Sequence, residues 1–160
     1  MSNILNTENN EKMPIRGPFM AFDVGTKRLG VAFAPKGALV ISPKETYKRV
    51  KFSLDAPYLI KMLIEWDIRT LVVGLPLNMD GTEGAMCQSV RDFVTNLQNF
   101  DGWPSNIAVF FQDERLTSEI SEETLIKDLD LSRAKRKGAI DQMAATEILK
   151  RFLEENNLLT

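Results

Sequence analysis

Residues 70–76, TLVVGLP, form a continuous apolar run that stops abruptly at Gly-Leu-Pro. No polar residues alternate with the apolar ones to give the strand a solvent-exposed face. This pattern is typical of a strand that is buried on both faces. Such a strand needs helices above and below its sheet, so the run predicts an α/β fold. IAVFFQ at residues 107–112 is a second run of this kind.

The residues before position 50 predict an antiparallel start to the sheet. PFMAFDV (18–24) is a short apolar run, and LGVAFAP (29–35) follows within five residues, as the second strand of a hairpin would. LVISPKETYK (39–48) is a candidate third strand, and Pro43 places it near an edge or a bulge.

Apolar residues at helical spacing predict helices between and after the later strands. The predicted helices cover residues 55–66, residues 86–97, a segment capped by Thr117 or Ser118, and residues 138–155. The resulting fold class is α/β, with a mixed five-stranded sheet in the order β-β-β-α-β-α-β-α, followed by the last helix, and with helices on both faces. A leading antiparallel meander is followed by βαβ crossovers.

One domain is expected. Residues 1–16 are polar and lack periodicity, which predicts a mobile N-terminal tail, whereas residues 17–156 are long enough to bury one core. No apolar run approaches the ~20 residues that span a bilayer, and the N-terminus lacks an apolar signal-peptide segment. We therefore expect a cytoplasmic protein with no membrane partner.

The chain contains no histidine and one cysteine, Cys87. These counts exclude Ser-His-Asp and Cys-His catalysis, histidine-based zinc sites and an internal disulfide. The chemistry must come from carboxylates, lysines, hydroxyls or a metal held by oxygen ligands. A net charge of −2 argues against a protein that coats nucleic acid non-specifically, but it leaves room for local basic patches.

Two acids lie where predicted strands end, Asp23 and Glu114. Because open α/β sheets bind ligands at the carboxyl ends of their strands, both acids lie at a candidate site. Asp23 would also suit a turn with Gly25, and Glu114 would also suit a surface pair with Arg115. Spacing does not separate Glu114 from its neighbour Asp113.

Asp141 is placed by a helical stripe. Asp141, Ala145, Ile148 and Phe152 are spaced four, three and four apart, so they share one helix face, which should pack on the sheet. An aspartate near a helix N-terminus also suits the helix dipole. Three carboxylates at one sheet edge repel one another unless a cation joins them, and oxygen-only ligands favour Mg²⁺ or Mn²⁺.

Four motifs resemble those of the YqgF/RuvX family, in the same order and spacing. They are DVGTKRLGVA (23–32), VVGLPLNMDGT (72–82), DERLTS (113–118) and KGAIDQMAA (137–145). The resemblance runs from about Met20 to Phe152. It implies an RNase H-like fold and a nuclease, and the family is described both as Holliday junction resolvase-like and as maturing pre-16S ribosomal RNA.

The resemblance also implies roles for the acids. The family's metal-binding acids fall on Asp23, on Glu114 of the DER motif and on Asp141, so the resemblance chooses Glu114 over Asp113. It implies that these three are catalytic, that Mg²⁺ or Mn²⁺ is the cofactor, and that the substrate is precursor ribosomal RNA or branched DNA. The ribosome is an expected partner, and both a monomer and a homodimer remain open.

Six further residues are candidates for contact with nucleic acid: Lys27, Arg28, Asn78, Arg115, Arg136 and Lys137. The first two lie in the turn after Asp23, and the last two belong to a basic run just before Asp141. A solvated hairpin explains the first pair equally well, and a charge run is usually solvated. Their position beside the acids is what favours contact with nucleic acid.

Two other functions are compatible with parts of the pattern. A nucleic-acid-binding module of the same fold would need the basic residues but no turnover, and nothing favours it because all three acids are present. A phosphotransferase of the actin and sugar-kinase type also begins with D-x-G-T. Such a protein needs two domains of this kind, for which 160 residues leave no room.

Overall fold

Five strands form one mixed sheet in the computed structural model, which describes residues 14–38, 40–115 and 133–158 except the side chains of 133–137. The strands are β1 Phe19–Val24, β2 Arg28–Ala34, β3 Ser42–Lys48, β4 Thr70–Leu75 and β5 Ala108–Asp113. Their order across the sheet is β3-β2-β1-β4-β5. β1 and β3 pair antiparallel with β2, whereas β4 pairs parallel with both β1 and β5. The predicted meander and crossovers are confirmed.

In the described parts of the chain, three helices lie on the two faces of this sheet: α1 Phe52–Glu65, α2 Ala85–Gln98 and α3 Arg133–Glu155. The apolar residues of α1 and α2 pack on one face, and those of α3 pack on the other. β4 lies between these layers and is buried along its whole length, as its apolar run predicts. The predicted α/β class, with helices on both faces, is confirmed.

Two of the predictions fall where the structure is not described. They are residues 1–13 of the expected tail and the helix expected after Thr117 or Ser118. Within the described ranges, no helix combines the length and the apolar character that a membrane span requires.

Pro43 lies on the edge strand β3, opposite Ala32, where the β2–β3 register shifts after Val31. This position confirms that the proline belongs near an edge or a bulge. A proline cannot donate a hydrogen bond to a neighbouring strand, so a sheet accommodates it best at such a place.

The last helix begins earlier than predicted. It starts at Arg133 rather than at Gly138, because arginine, lysine and alanine favour a helix and one internal glycine costs only about 1 kcal/mol. Asp141 therefore lies about two turns inside the helix. The helix dipole, which acts within the first turn, does not explain its position.

Helix α3 approaches the sheet most closely at Gly30 of β2. A methyl group on Gly30 would collide with the backbone carbonyl of Asp141, so only glycine lets the helix lie this close. Thr46 on β3 adds a second link, because its hydroxyl donates to the carbonyl of Gly138 at 2.6 Å. The predicted stripe packs as expected, since Ala145, Ile148 and Phe152 are fully buried.

Candidate active site

The parallel strands β1, β4 and β5 end at one edge of the sheet. Asp23 is the penultimate residue of β1, and Glu114 directly follows β5. The backbone N–H of Glu114 donates to the carbonyl of Leu75 at 3.2 Å, which ties the end of β5 to the end of β4. Asp23 and Glu114 thus lie on opposite sides of β4.

Gly74 of β4 lies between these two acids. A Cβ atom at this position would lie 3.0 Å from the carboxyl carbon of Glu114 and would collide with Ile148 of α3. The missing side chain therefore leaves room for the Glu114 carboxyl to cross β4 towards Asp23.

The side chains of Asp23 and Glu114 are hydrogen-bonded to each other. Burial raises the pKa of Asp23 to about 6, although the hydrogen bond from Glu114 opposes this shift. Burial and repulsion by Asp23 together raise the pKa of Glu114 to about 9. The two carboxyl groups therefore resist losing both protons together.

Asp141 reaches the same edge from helix α3. Its negative charge contributes to the raised pKa of Asp23, so the two carboxyl groups are neighbours. However, Arg28 Nε donates to Asp141 Oδ2 at 2.7 Å and forms a partly buried ion pair. In the part of the chain that the structure describes, no three acidic or cysteine side chains are arranged to hold a metal ion in their present positions. The structure joins two of the three acids and pairs the third with an arginine.

Asp113 has a different partner from Glu114. Arg115 donates to it through Nη2 and Nε, at 2.6 and 2.9 Å from Oδ2. Burial opposes ionisation of Asp113, but the hydrogen bonds from Arg115 outweigh burial and lower its pKa. The structure therefore separates two residues that spacing could not, because Glu114 contacts Asp23 and Asp113 contacts Arg115.

The remaining candidates differ in their surroundings. Lys27 is exposed in the turn after β1. Asn78 is exposed and donates to the hydroxyl of Thr82 at 3.0 Å. Arg115, besides its pair with Asp113, donates through Nη1 to the carbonyl of Met79 at 3.1 Å.

Arg136 and Lys137 lie in α3, but their side chains are outside the described residues. Their predicted contact with nucleic acid stays a prediction.

A cavity of about 340 Å³ opens beside the acid pair. Its lining includes the charged residues Asp23, Glu114 and Arg115 and the apolar residues Leu77, Met79 and Met86. The volume lies at the low end of the ~300–1,000 Å³ typical of ligand sites. Two coupled carboxyl groups therefore face a space that a charged ligand can enter.

Three supporting residues were not among the predicted site residues. Gly30 and Gly74 give α3 and Glu114 room, and a glycine inside a strand pattern does indicate a close backbone approach. Arg49 braces the turn after Asp23, because its Nη1 donates to the carbonyl of Gly25. Nothing in the local sequence around Arg49 indicates this contact.

A family model described as RuvX, Holliday junction resolvase, matches residues 17–155. A protein from Rhodospirillum centenum is 41% identical over 150 residues, which cover 92% of this chain and 78% of the relative. A protein from Endomicrobium trichonymphae is 38% identical over 135 residues, which cover 84% of this chain and 94% of the relative. Both relatives carry the name "Putative pre-16S rRNA nuclease".

Two solved structures share the fold at low sequence identity. Fowlpox virus resolvase, solved with Holliday junction DNA, superposes with a TM-score of 0.55 at 10% identity, covering 88% of this chain and 99% of its own. Thermus thermophilus RuvC superposes with a TM-score of 0.51 at 14% identity, covering 89% and 98%. These likenesses confirm the predicted RNase H-like fold. The chain therefore belongs to the RuvX family of nucleases.

Proposed function

We propose that this chain is a divalent-metal-dependent endonuclease that hydrolyses phosphodiester bonds in structured nucleic acid. The 5′ end of precursor 16S ribosomal RNA is the substrate we propose, by analogy with the names of the curated relatives. This function implies the cytoplasm as location and the ribosome as a partner. The observation that carries the proposal is the hydrogen-bonded pair of Asp23 and Glu114 at an open sheet edge, with Asp141 beside it.

The donor chemistry at this edge suits Mg²⁺ or Mn²⁺. Asp23, Glu114 and Asp141 offer only carboxylate oxygens, which these ions prefer. The first two resist ionising together because they are buried against each other, and a cation removes that penalty. When bound there, such an ion supplies Lewis-acid activation of water and stabilises the leaving oxygen.

Backbone and side-chain contacts position the carboxylate oxygens of the three acids. Asp23 is fixed by the central strand β1, and Glu114 is fixed by its backbone link to β4. Arg28 holds the carboxylate of Asp141 through a hydrogen bond from Nε. If Asp141 held a cation instead, the Arg28 guanidinium would be available to contact a phosphate next to Lys27.

Resolution of Holliday junctions is the second candidate function. It is favoured by the description of the family model and by the junction DNA in the fowlpox virus structure. A symmetric four-way junction needs two active sites and hence a dimer, whereas trimming an RNA end needs one site. A binding module without turnover is a third candidate.

Cleavage by wild type and Asp23→Asn tests the proposal. The substrates are end-labelled RNA containing the 16S 5′ leader and four-way DNA junctions, each with Mg²⁺ or Mn²⁺. We expect wild type to cut the RNA and Asp23→Asn to lose at least about 100-fold in rate, because the amide keeps one oxygen but loses the other and the negative charge that binds a cation. Asp101→Asn removes an exposed acid from the loop before β5, at the opposite edge, and should keep the wild-type rate.

Equal cutting by wild type and Asp23→Asn would contradict the assignment, as would no cutting by wild type with Mn²⁺. If the protein cuts junctions in preference to RNA and has the mass of a dimer in solution, the substrate is branched DNA rather than precursor RNA. Tight binding without cleavage that EDTA leaves unchanged would support the binding module.

A further inference from the structure

Three apolar side chains from the loop after β4 and the start of α2 line the cavity that holds the acid pair. We call Leu77, Met79 and Met86 the apolar wall. Met79 is 69% exposed and Met86 is 47% exposed. Neighbouring exposed apolar side chains of this size, next to a candidate site, are typical of a surface that a ligand covers.

The loop that presents Met79 is braced by its own hydrogen bonds. The N–H of Asn78 donates to the carbonyl of Thr82, and the N–H of Gly81 donates to the carbonyl of Asn78, both at 2.8 Å. Asp80 Oδ1 accepts from the N–H of Thr82 at 2.9 Å. These contacts close the loop into a tight turn, so the exposure of Met79 is a property of its fold.

Arg115 connects this loop to the acids. Its Nη1 donates to the carbonyl of Met79, while its own backbone directly follows Glu114. The distance between the apolar wall and the acid pair is therefore set by hydrogen bonds. A ligand with a charged part at Asp23 and Glu114 would place the group next to that part against the wall.

We propose that the apolar wall is a subsite for one unpaired nucleobase next to the phosphodiester that is cut. The inference rests on the proposed function, because that function puts the phosphate at Asp23 and Glu114. The nucleobase is the part of a nucleic acid that has apolar faces and lies beside its phosphates. Stacked neighbours cover both faces of a base in a duplex, so only an unstacked base has a face to offer.

The geometry favours a base over a protein partner. The cavity is concave and about 340 Å³ in volume, which suits one small group rather than a protein surface. A protein that covered the wall would also cover Asp23 and Glu114 and block the site. Methionine is flexible and polarisable, so Met79 and Met86 fit any of the four bases. The subsite therefore selects unpaired structure and not a particular sequence.

A double-mutant cycle, in which one change is made in the protein and the other in the RNA substrate, tests the subsite. The substrate is leader RNA with each nucleotide beside the cut in turn replaced by an abasic residue, and the protein is full-length wild type or Met79→Ala. We expect Met79→Ala and the correct abasic replacement each to raise KM by about 5–10-fold, as for loss of one stacked base. Together they should cost no more than either alone, since both remove the same contact.

Binding is measured in parallel without turnover. 2-Aminopurine at the same nucleotide, in EDTA, reports whether the base leaves its stack on binding, and Met79→Ala should weaken that change. Met79→Leu should retain most of the wild-type KM. Ile64→Ala removes an apolar side chain of similar exposure (55%) from α1 and should change neither readout.

The outcomes separate the subsite from the proposed function. Cleavage by Met79→Ala at the wild-type KM, or losses that multiply in the combined experiment, would overturn the subsite and leave the nuclease intact. Base unstacking that depends on Met79, with no cleavage by wild type on any substrate, would support the subsite and overturn the nuclease. If wild type neither binds nor cleaves any of these substrates, the subsite and the nuclease are both overturned. Loss of self-association in Met79→Ala, with unchanged KM, would make the wall a protein interface and overturn the subsite.

Discussion

The side chains of Glu114 and Asp23 contact each other in a half-buried position, and this pair contributes a pH dependence to stability. In the unfolded chain both groups ionise near their ordinary pKa values of about 4. In the folded chain the pKa of Glu114 is about 9, because burial and the charge of Asp23 disfavour its ionised form. Between these values the folded state binds more protons than the unfolded state. The contribution of this pair to stability is therefore fully present below the unfolded pKa values of about 4 and is lost as the pH rises through the folded values.

We predict that the free energy of unfolding of the metal-free protein decreases as the pH is raised from about 5 to about 9. Glu114→Gln keeps the shape and the hydrogen bond but cannot ionise, so its stability should depend much less on pH. Urea denaturation in EDTA over this pH range measures how steeply the free energy of unfolding changes with pH in wild type and in Glu114→Gln. Asp101→Asn is the matched control and should keep the wild-type slope. An equal slope in Glu114→Gln would contradict the prediction.

The sequence predicted the positions of the acids better than their partners. The end of β1 and the helical stripe were enough to place Asp23 and Asp141 at one edge. The choice between Asp113 and Glu114 depends on where Arg115 turns, and spacing carries no information on that rotation. The pair of Arg28 and Asp141 joins residues 113 positions apart, so no local pattern indicates it.

At the scale of the elements, α3 shows that a small residue on a neighbouring strand determines how close a helix lies to the sheet. Its stripe was predicted correctly from a spacing of three and four residues. Its predicted start near Gly138 was wrong, because the helix also includes the basic run 133–137. Gly30 on the opposing strand decides how close α3 lies, and it thereby sets the height of Asp141 above the sheet.

Gly30→Ala should destabilise the protein by about 1–3 kcal/mol or more, because the new methyl group forces α3 away from β2. Gly138→Ala is the matched substitution on α3 itself. There a Cβ would meet Thr46 Oγ1 at an ordinary 3.7 Å, so the helix should gain up to about 1 kcal/mol. Thermal unfolding of both variants measures whether each substitution lowers or raises the stability of the protein. Equal destabilisation by both substitutions would show that the helix is not in close contact at Gly30.

At the scale of the whole molecule, the sheet divides the core into two layers. Continuous apolar runs predicted that β4 and β5 are buried on both faces, and this requirement already implied helices on both sides. The neighbours of each strand could not be predicted this way, because pairing joins residues far apart in the chain. β1 pairs with β4 across 45 intervening residues, between Val24 and Thr70.

The two layers should unfold together, since both depend on the same strands. Ile148→Ala opens a cavity in the α3 layer and should cost about 2–5 kcal/mol. Trp103 packs against the opposite layer, so tryptophan fluorescence should report the same loss as far-UV circular dichroism. Ile64→Ala, at an exposed position, should change stability by less than about 0.5 kcal/mol. Two separate transitions in Ile148→Ala would show that the layers unfold independently.

Helix α3 supplies Asp141 and one whole side of the core, and it follows β1 to β5 in the chain. Domains fold from the N-terminus as the chain leaves the ribosome, so β1 to β5 emerge while their α3 face is still bare. If the acids cut RNA as proposed, a growing chain carries Asp23 and Glu114 without the third acid. The protein then gains its cutting activity only after α3 has been synthesised and has packed on the sheet.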